Sequence, residues 1–310
     1  MVKYILKRTL WMIVTLWVII TLTFILMHSI PGDPFSQEGK KYPEQILKNL
    51  RAKYHLDQPL YVQYLLYLKN ILVLDFGPSI KSDVRTVNDV IRDGFPVSLQ
   101  LGLFAVGFAL LFGIIFGIIA ALNRGRPLDY ISVAIAVLGI SIPSFILAPL
   151  LQKVFALDWK ILPPAQWGSF KHMILPAFAL SLGPLAVITR LMRSSMLDVL
   201  GQEYIKTAEA KGLGTFAIMV KHALRNAILP IITYLGPLLA SVLTGTFVIE
   251  KIFAIPGLGK YFVDSIVNRD YPMIMGTTIF YSIILVVLML AVDIAYTLID
   301  PRIRLTAKED

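Results

Sequence analysis

The sequence predicts an all-α integral membrane protein with six transmembrane helices, cytoplasmic N and C termini and a small external insertion after the first helix. Three observations indicate this class. Of the 310 residues, 56% are hydrophobic and 16% are charged, with a mean hydropathy of +0.72, whereas soluble domains average about 25% charged residues. Apolar runs long enough to cross a bilayer recur along the chain. Basic residues gather in alternate connecting segments, as the positive-inside rule requires.

Six apolar segments are the predicted spans. The first follows Lys3, Lys7 and Arg8. Its apolar run exceeds the roughly 7–15 residues of a signal-peptide core, so we expect an uncleaved helix whose N-terminus lies inside. The predicted spans are residues 9–30, 97–122, 130–152, 174–189, 228–249 and 273–298.

Two of these spans contain residues that predict a particular helix shape or helix contact. The third is interrupted by Gly139, Pro143 and Pro149, which predict kinks. Broken helices often line a transport path, but a kink that serves only packing is an equal alternative for any single proline. The second span has a small residue at every fourth position, which predicts a smooth face for close helix contact in lipid. These small residues are Ala105, Ala109, Gly113, Gly117 and Ala121.

Residues 31–96 form the external insertion, which is polar and nearly neutral. Pro59 opens a predicted helix, residues 75–79 form a turn, and residues 86–91 form a further short helix. We expect the insertion to pack over the outer mouth of the protein or to contact an external partner, rather than to form an enzyme domain. The apolar stripe of its main helix is Leu60, Tyr64, Tyr67, Leu68 and Ile71.

The basic residues predict the topology. With the N-terminus inside, the four inner segments hold 14 lysines and arginines, while the two short outer loops hold 6. Long loops such as the insertion carry little topological weight. The net charge of +9 therefore marks the cytoplasmic face of a lipid-embedded chain, and no nucleic-acid partner is indicated. Arg190 and Arg193 are expected to be simple anchors of the fourth span at this face.

Asp293 is the acidic residue that lies well inside a predicted span. An ionisable group at such a position is a candidate proton or cation site. It lies about two turns or less from the inner end of its helix, where a hydrogen bond to a neighbouring helix, to Tyr296 or to Arg302 would give it a structural role instead. We favour the structural role and keep proton coupling as the alternative.

The predicted cytoplasmic loop, residues 190–227, contains the longest charged interval in the second half of the chain. Its pattern predicts two short helices around a glycine hinge. Residues 202–211 form the first helix, Gly212 and Gly214 supply the hinge, and Thr215 caps the second helix. On spacing alone, an ordinary solvated loop helix is favoured over a docking helix. The face expected on the first helix consists of Tyr204, Thr207, Ala208 and Lys211.

The sequence lacks the residues for several kinds of catalysis. It has no phosphate-binding G-x-x-x-x-G-K-[ST] motif, no H-E-x-x-H, no G-x-S-x-G and no cysteine, and its four histidines show no metal-ligand spacing. We therefore expect a non-enzyme. Three classes remain: a permease driven by partner ATPases, a gradient-driven secondary transporter, and a membrane enzyme or assembly factor. Six spans without an inverted repeat favour the first class over the second.

Nearly the whole chain resembles the B-type permease subunits of oligopeptide and dipeptide ABC importers. In the cytoplasmic loop the resemblance rests on residues 206–212 (KTAEAKG) and 222–230 (HALRNAILP). The other matching segments are residues 31–34 (PGDP), 75–77 (DFG), 141–145 (SIPSF), 193–196 (RSSM), 251–259 (KIFAIPGLG), 268–270 (NRD) and 300–302 (DPR).

The resemblance implies a peptide importer in a bacterial plasma membrane. Its working complex would contain a second, different permease subunit, two ABC ATPase subunits that bind ATP and Mg²⁺, and an external solute-binding protein. This chain would hold no cofactor or metal and would form half of the translocation path. A cytoplasmic coupling helix would contact the partner ATPase. The residues assigned to that contact are Glu203, Tyr204, Thr207, Ala208, Ala210, Lys211, Gly212 and Leu213.

The solute and the path are less narrowly defined than the complex. Nickel, glutathione or another small solute is the alternative cargo that the resemblance leaves open. We expect the path to follow the third and fifth spans, near Ser141, Pro143, Ser144, Tyr234 and Thr244.

Overall fold

The described part of the chain is built from helices. A computed structural model describes residues 2–29, 35, 43–82 and 84–299, and the side chains of residues 2–4, 240, 244, 245, 293 and 295–299 lie outside this description. The helices are α1 (Val2–Ser29), α2 (Glu44–Lys53), α3 (Leu60–Leu72), α4 (Val87–Leu122), α5 (Pro127–Ser141), α6 (Ser144–Leu151), α7 (Phe170–Leu200), α8 (Glu203–Ala210), α9 (Thr215–Ala217), α10 (Leu224–Ala227), α11 (Leu229–Ile252), α12 (Leu258–Asn268) and α13 (Tyr271–Ile299). Two π-helical segments, Gln152–Asp158 and Ile218–Ala223, continue α6 and α9.

Four continuous helices in the described ranges are long and apolar enough to cross a membrane: Ile5–Ser29, Val87–Leu122, Phe170–Leu200 and Tyr271–Val292. Two further candidates are bent pairs. Pro127–Ser141 and Ser144–Asp158 meet at 101°, and Thr215–Ala227 and Leu229–Leu243 meet at 49°. The predicted all-α membrane class is confirmed. The predicted spans lie on these four helices and two bent pairs, which give between four and six candidate spans in the described ranges.

The helix of the second span begins before the apolar run. Helix α4 starts at Val87, so the predicted short helix at 86–91 is the first part of α4 rather than a separate helix. Thr86 and Asp89 form a reciprocal cap: the Asp89 carboxylate accepts from the Thr86 N–H at 2.9 Å, and the Asp89 N–H donates to Thr86 Oγ1 at 3.2 Å. Pro96 lies inside this helix, so the helix continues through a proline.

The helix that contains the fourth predicted span, residues 174–189, is also longer than that span. Helix α7 has 31 residues and continues through Arg190 and Arg193 to Leu200. Charged residues limit an apolar run, but they do not end a helix, because arginine is a good helix former.

The described chain divides into two compact units. The first contains α1, α2, α3, the first ten residues of α4, α12, and α13 up to Leu290. In this unit α3 lies against the C-terminal half of α1. The hydroxyls of Thr21 and Tyr64 are 2.7 Å apart, and the ring centroids of Phe24 and Tyr67 are 5.9 Å apart. The predicted turn at residues 75–79 is also present, with Asp75 accepting from the Gly77 N–H at 3.0 Å.

A buried carboxylate joins two distant segments of the first unit. Asp270 is 3% exposed and accepts a hydrogen bond from the Ser79 hydroxyl and another, at 3.2 Å, from the Ile80 N–H. It also accepts from the Lys81 N–H at 3.4 Å and, in the first turn of α13, from the Met273 N–H at 3.4 Å. Asp270 therefore caps α13 and fixes the extended segment of the insertion.

The second unit contains Val97–Pro256 and residues 291–299. Its core contains buried side chains from α4, α6, α7 and α11 together with those of the cytoplasmic loop. Helix α7 packs against α5, α6, α10 and α11. The small residues of α4 also face α7, since a Cβ on Gly113 would lie 2.8 Å from Ile188 Cγ2 and one on Gly117 would lie 2.4 Å from Met192 Cβ. The predicted packing seam is confirmed.

The third predicted span is broken rather than kinked. Helix α5 ends at Ser141, Ile142 and Pro143 are extended, and α6 begins at Ser144. Proline disfavours a helical conformation at the residue before it, which explains a break at Ile142. Pro149, by contrast, lies inside α6 without ending it.

Enlarging Gly117 should destabilise the second unit. We expect Gly117→Ala to lower the free energy of unfolding by about 1–3 kcal/mol, because a well-packed contact must move to admit the methyl group. Thermal unfolding of the detergent-purified chain measures the change. A methyl group added to Gly107 of the same helix would meet no atom within 4 Å, so Gly107→Ala is the matched control and should unfold at the wild-type temperature or above. Equal losses in both variants would contradict the seam.

Candidate functional site

The cytoplasmic loop contains the predicted short helix and hinge. Helix α8 runs from Glu203 to Ala210, and Gly212 follows with φ +76°. The Gly212 N–H donates to the Glu209 carbonyl at 2.8 Å, and the Leu213 N–H donates to the Ala208 carbonyl at 3.3 Å. This pair of bonds is the Schellman motif, in which a left-handed residue satisfies the last carbonyls of a helix. Glycine adopts that conformation without steric cost, so the predicted role of Gly212 is confirmed.

The second half of the hinge differs from the prediction. Gly214 has φ −68° and ψ 150°, an extended conformation that other residues adopt, and it occupies the N-cap position of α9. Thr215 is the first helical residue and makes no side-chain cap, so its predicted capping role is wrong. The second helix therefore begins one residue earlier than the predicted cap implied.

Helix α8 has one buried edge and a broad exposed face. Ile205 and Ala208 are 1% and 5% exposed and belong to the core of the second unit. The face predicted from spacing is wrong in one respect, because Ala208 points into the chain while Tyr204, Thr207 and Lys211 are exposed. Ile205, the most apolar residue of the helix, determines this orientation by its burial. The exposed residues of the helix and its turn are Glu203, Tyr204, Lys206, Thr207, Glu209, Ala210, Lys211, Gly212 and Leu213.

Two polar contacts stabilise this arrangement to different degrees. The Asn226 side-chain amide, in α10, donates to the Tyr204 hydroxyl at 2.8 Å and connects α8 with the helix that precedes α11. Lys206 and Glu203 form an ion pair at 2.8 Å, but their side chains are 63% and 86% exposed. An exposed pair contributes little to stability. The buried edge and the Tyr204–Asn226 bond therefore hold the helix in place.

An ion pair with a buried carboxylate fixes α7 to α5, a short distance along the chain before α8. The Arg193 guanidinium donates from Nε to Asp129 Oδ1 at 2.6 Å and from a terminal nitrogen to Oδ2 at 2.8 Å. Asp129 is 3% exposed and also accepts from the Gly125 N–H at 3.0 Å. Bidentate contact fixes orientation as well as distance. Arg193 lies two turns before Leu200, the last residue of α7, and α8 begins three residues later.

The pair corrects the prediction that Arg193 is a simple cytoplasmic anchor. Its neighbour Arg190 is exposed. No local spacing pointed to the pair, since 64 residues separate the two partners. A weak signal was present: Asp129 is an acid in a short basic turn, at the start of a helix, where the macrodipole favours a carboxylate.

The residues predicted to line the path lie in two places. Ser141, Pro143 and Ser144 lie at the break between α5 and α6, and the Ser141 hydroxyl donates to the Val137 carbonyl at 2.8 Å. Tyr234 lies in α11 and is half-buried. Helix α6 packs against α11, so both groups belong to neighbouring elements. The side chains of Thr244 and Asp293 lie outside the described residues.

Comparison with family models decides the family. The model of the binding-protein-dependent transport system inner membrane component matches residues 113–305, which contain α8 and the Asp129–Arg193 pair. The chain belongs to this family. A second model, for the N-terminal part of such membrane components, matches residues 1–102. The protein is therefore a multi-pass membrane component of a binding-protein-dependent transport system.

Curated relatives of this family match over their full length. The chain is 58% identical over 308 residues to the dipeptide transport system permease protein DppB of Bacillus subtilis, covering 99% of this chain and 100% of the relative. It is 45% identical over 306 residues to the oligopeptide transport system permease protein OppB of Haemophilus influenzae, covering 98% and 100%. These relatives are permease components, and the chain is a component of the same non-catalytic kind.

Solved structures share the fold at low identity. An inward-facing structure of the MetNI methionine ABC transporter matches with a TM-score of 0.57 and 17% identity, over 68% of this chain and 96% of that chain. An amino acid ABC transporter matches with a TM-score of 0.54 and 15% identity, over 67% and 94%. At this identity the likeness concerns the fold alone.

Breaking the Asp129–Arg193 pair should destabilise this family member. We expect Asp129→Ala to lower the free energy of unfolding by about 2–4 kcal/mol, because Arg193 would keep a partly buried charge without its partner. This expected loss in the free energy of unfolding is smaller than that for a wholly buried pair, because the Arg193 side chain is 30% exposed. Thermal or denaturant unfolding of the purified chain gives the measurement. The exposed Arg190 provides the control, and Arg190→Ala should change stability by less than about 0.5 kcal/mol. A similar loss in that control would refute the pair's role.

Proposed function

We propose that the chain is the permease subunit of an ATP-driven ABC importer for dipeptides or oligopeptides. Support for the cargo comes from the full-length relatives, which are named dipeptide and oligopeptide permeases at 58% and 45% identity. Support for an external energy source comes from the sequence, which contains no phosphate-binding motif. ATP and Mg²⁺ would be bound by two partner ATPase subunits. A second permease subunit would complete the path, and an external binding protein would deliver the peptide.

The observation that carries the coupling proposal is the form of α8. It is a short helix with one edge buried at Ile205 and Ala208, a glycine-capped end, and an exposed outer face. A helix of eight residues is unstable alone in water, so its contacts with the core must hold it. Such a helix can receive a force on its outer face without detaching from the chain. We propose that the exposed residues within 203–213 contact an ATPase subunit, and that Ala208 positions them from inside.

Helix α7 is the element through which this contact would act on the membrane helices. At 1.5 Å per residue, its 31 residues span about 46 Å. It packs against α5, α6 and α11, and the seam glycines bring α4 within van der Waals distance of it. The Asp129–Arg193 pair fixes α7 to α5 two turns before the end of α7. Displacement of α8 would therefore be shared among several helices of the second unit.

The break between α5 and α6 is the proposed place of the translocation path. Ser141 and Pro143 are exposed there, and Ile142 and Pro143 are extended within an otherwise helical candidate span. Non-helical backbone at membrane depth requires protein or water to satisfy its polar groups. We propose that this break, with Tyr234 and Thr244 of α11, lines a wide path. The chain would act as a single transmembrane domain with both termini in the cytoplasm, as its basic residues indicate.

Reconstitution tests the proposed function. We expect proteoliposomes that contain this chain, its partner permease, two ATPases and the binding protein to accumulate a radiolabelled dipeptide only when ATP is present. Omission of the ATPases or of the binding protein should reduce uptake to the level of empty vesicles. Nickel and glutathione serve as competing solutes and should leave peptide uptake unchanged. Accumulation by the chain alone in a proton gradient would contradict the proposal and favour a secondary transporter.

A substitution on the outer face of α8 tests the coupling contact. We expect Ala210→Trp to reduce ATP-dependent uptake at least tenfold while the chain still inserts and unfolds normally, because a large side chain separates the two surfaces. Ala210→Ser keeps the position small and is the matched control, with uptake within about twofold of wild type. Ala208 is unsuitable for this test, since its burial means that a large substituent would disturb the core. Normal uptake by Ala210→Trp would show that the helix docks by another face.

A further inference from the structure

Helix α3 has a second apolar face besides the one that packs against α1. Four apolar residues at helical spacing share one side of the helix, which we call the lateral face of α3. They are Tyr61, Leu65, Leu68 and Leu72. Tyr61, Leu65 and Leu72 are 68%, 60% and 85% exposed, and Leu68 is half-buried. A continuous exposed apolar surface marks a contact with another protein or with a membrane.

The contacts between α3 and α1 define the depth of α3. The candidate span Ile5–Ser29 has 25 residues, so it is about 37 Å long, compared with about 30 Å for the hydrocarbon core of a bilayer. Thr21 lies about 12 Å from the C-terminal end of this span, and its hydroxyl is 2.7 Å from that of Tyr64. The Tyr64 ring is also 5.3 Å from the ring of the buried Phe24. The side of α3 that packs on α1 therefore reaches the depth of the lipid hydrocarbon.

Helix α3 crosses α1 instead of running along it. The Gln63 side-chain oxygen lies 3.1 Å from a ring nitrogen of His28, whereas the next residue, Tyr64, contacts Thr21. Thr21 and His28 are seven residues apart, which is about 10 Å along a helix. A helix parallel to α1 would bring adjacent residues to nearly the same level. Rotation around α3 therefore corresponds to depth along α1.

This crossing directs the lateral face towards the middle of the bilayer. Gln63 faces His28, one residue before the end of the span. At about 100° per residue, the four residues of the lateral face lie about 140–200° around the helix from Gln63. They are thus on the opposite side of α3, nearer to the middle of α1. Asn70, which is exposed, shares the Gln63 side because it follows Gln63 by two turns.

The remaining features of α3 also fit a lipid environment. Its 13 residues extend about 20 Å, too short to cross the hydrocarbon core. Lys69 is its one charged residue, and a lysine at the edge of an apolar face can extend its amino group to the lipid headgroups. The exposed surface of α1 at the same depth is also apolar, with Leu22 53% and Ile25 52% exposed. The lateral face therefore continues a surface that contacts lipid in a membrane span.

We propose that α3 is an interfacial helix whose lateral face is embedded among the lipid acyl chains at the C-terminal end of α1. In the proposed topology these chains belong to the outer leaflet. Amphipathic helices of this kind lie in the plane of the membrane with their apolar side about 5–10 Å below the surface. The inference needs only the membrane class of the chain and not its cargo. It places the main helix of the insertion at the membrane and assigns lipid, rather than a protein partner, to this face.

Spin-label accessibility of the full-length chain tests the contact with lipid. The chain contains no cysteine, so Leu65→Cys and Leu72→Cys each accept a single nitroxide label. The labelled chain is placed in nanodiscs of phosphatidylethanolamine and phosphatidylglycerol. The two probes are dioxygen, which concentrates in hydrocarbon, and a neutral nickel(II) chelate, which stays in water. We expect the ratio of oxygen to nickel collision rates to be several-fold higher at both positions than at a position on the Gln63 side of α3.

Two further variants supply the matched controls. Asn70→Cys labels the same helix on the Gln63 side and should collide mainly with the nickel chelate. Leu22→Cys labels the exposed surface of α1 and should give the same ratio as Leu65→Cys and Leu72→Cys. Agreement of the two α3 positions with Leu22→Cys would support the proposal. If one α3 variant does not fold, the other still decides between lipid and water.

Three results would overturn the proposal. Nickel collision rates at Leu65→Cys and Leu72→Cys as high as at Asn70→Cys would show that the lateral face lies in water. Low collision rates with both probes would show that protein covers the face, and would favour contact between copies of the chain. High nickel collision rates that fall only when the external binding protein is added would identify that protein as the partner of α3.

Discussion

Close packing around α7 is the constraint on which the second unit depends. Within a bilayer the hydrophobic effect does not drive helices together, so their association relies on van der Waals contact and hydrogen bonds. Gly113 and Gly117 supply that contact by bringing α4 against Ile188 and Met192. Arg193 supplies the polar contact near the C-terminal end of the same helix. Both kinds of contact are made by α7, and α8 begins three residues after α7 ends.

Sequence patterns that involve residues only a few positions apart gave correct predictions. The four-residue repeat of small residues predicted the α4 seam, and the position of Gly212 predicted a helix end that the Schellman bonds confirm. The apolar runs predicted the membrane class. Each of these signals depends only on neighbours a few residues away, and helix geometry then fixes which side chains share a face.

Features that depend on distant partners were missed or misplaced. The Asp129–Arg193 and Ser79–Asp270 contacts join residues 64 and 191 positions apart, and nothing in either local segment identifies the other. The prediction of which face of α8 is exposed was wrong at Ala208 for a related reason. Spacing gives a set of faces, but burial of Ile205 against the rest of the loop decides which face turns inward. The ends of α4 and α7 differ from the ends of the apolar runs, because both helices continue beyond those runs.

Asp129 and Asp270 show how this chain uses buried carboxylates. Each lies at the start of a helix, where the macrodipole favours negative charge, and each accepts hydrogen bonds on both of its oxygens. A carboxylate with such partners holds two segments together. This use differs from that of a proton-coupled transporter, whose acidic groups must bind and release protons during the cycle. In the part of the chain that the structure describes, Asp129 and Asp270 are therefore structural groups, each of which joins two segments of its own unit.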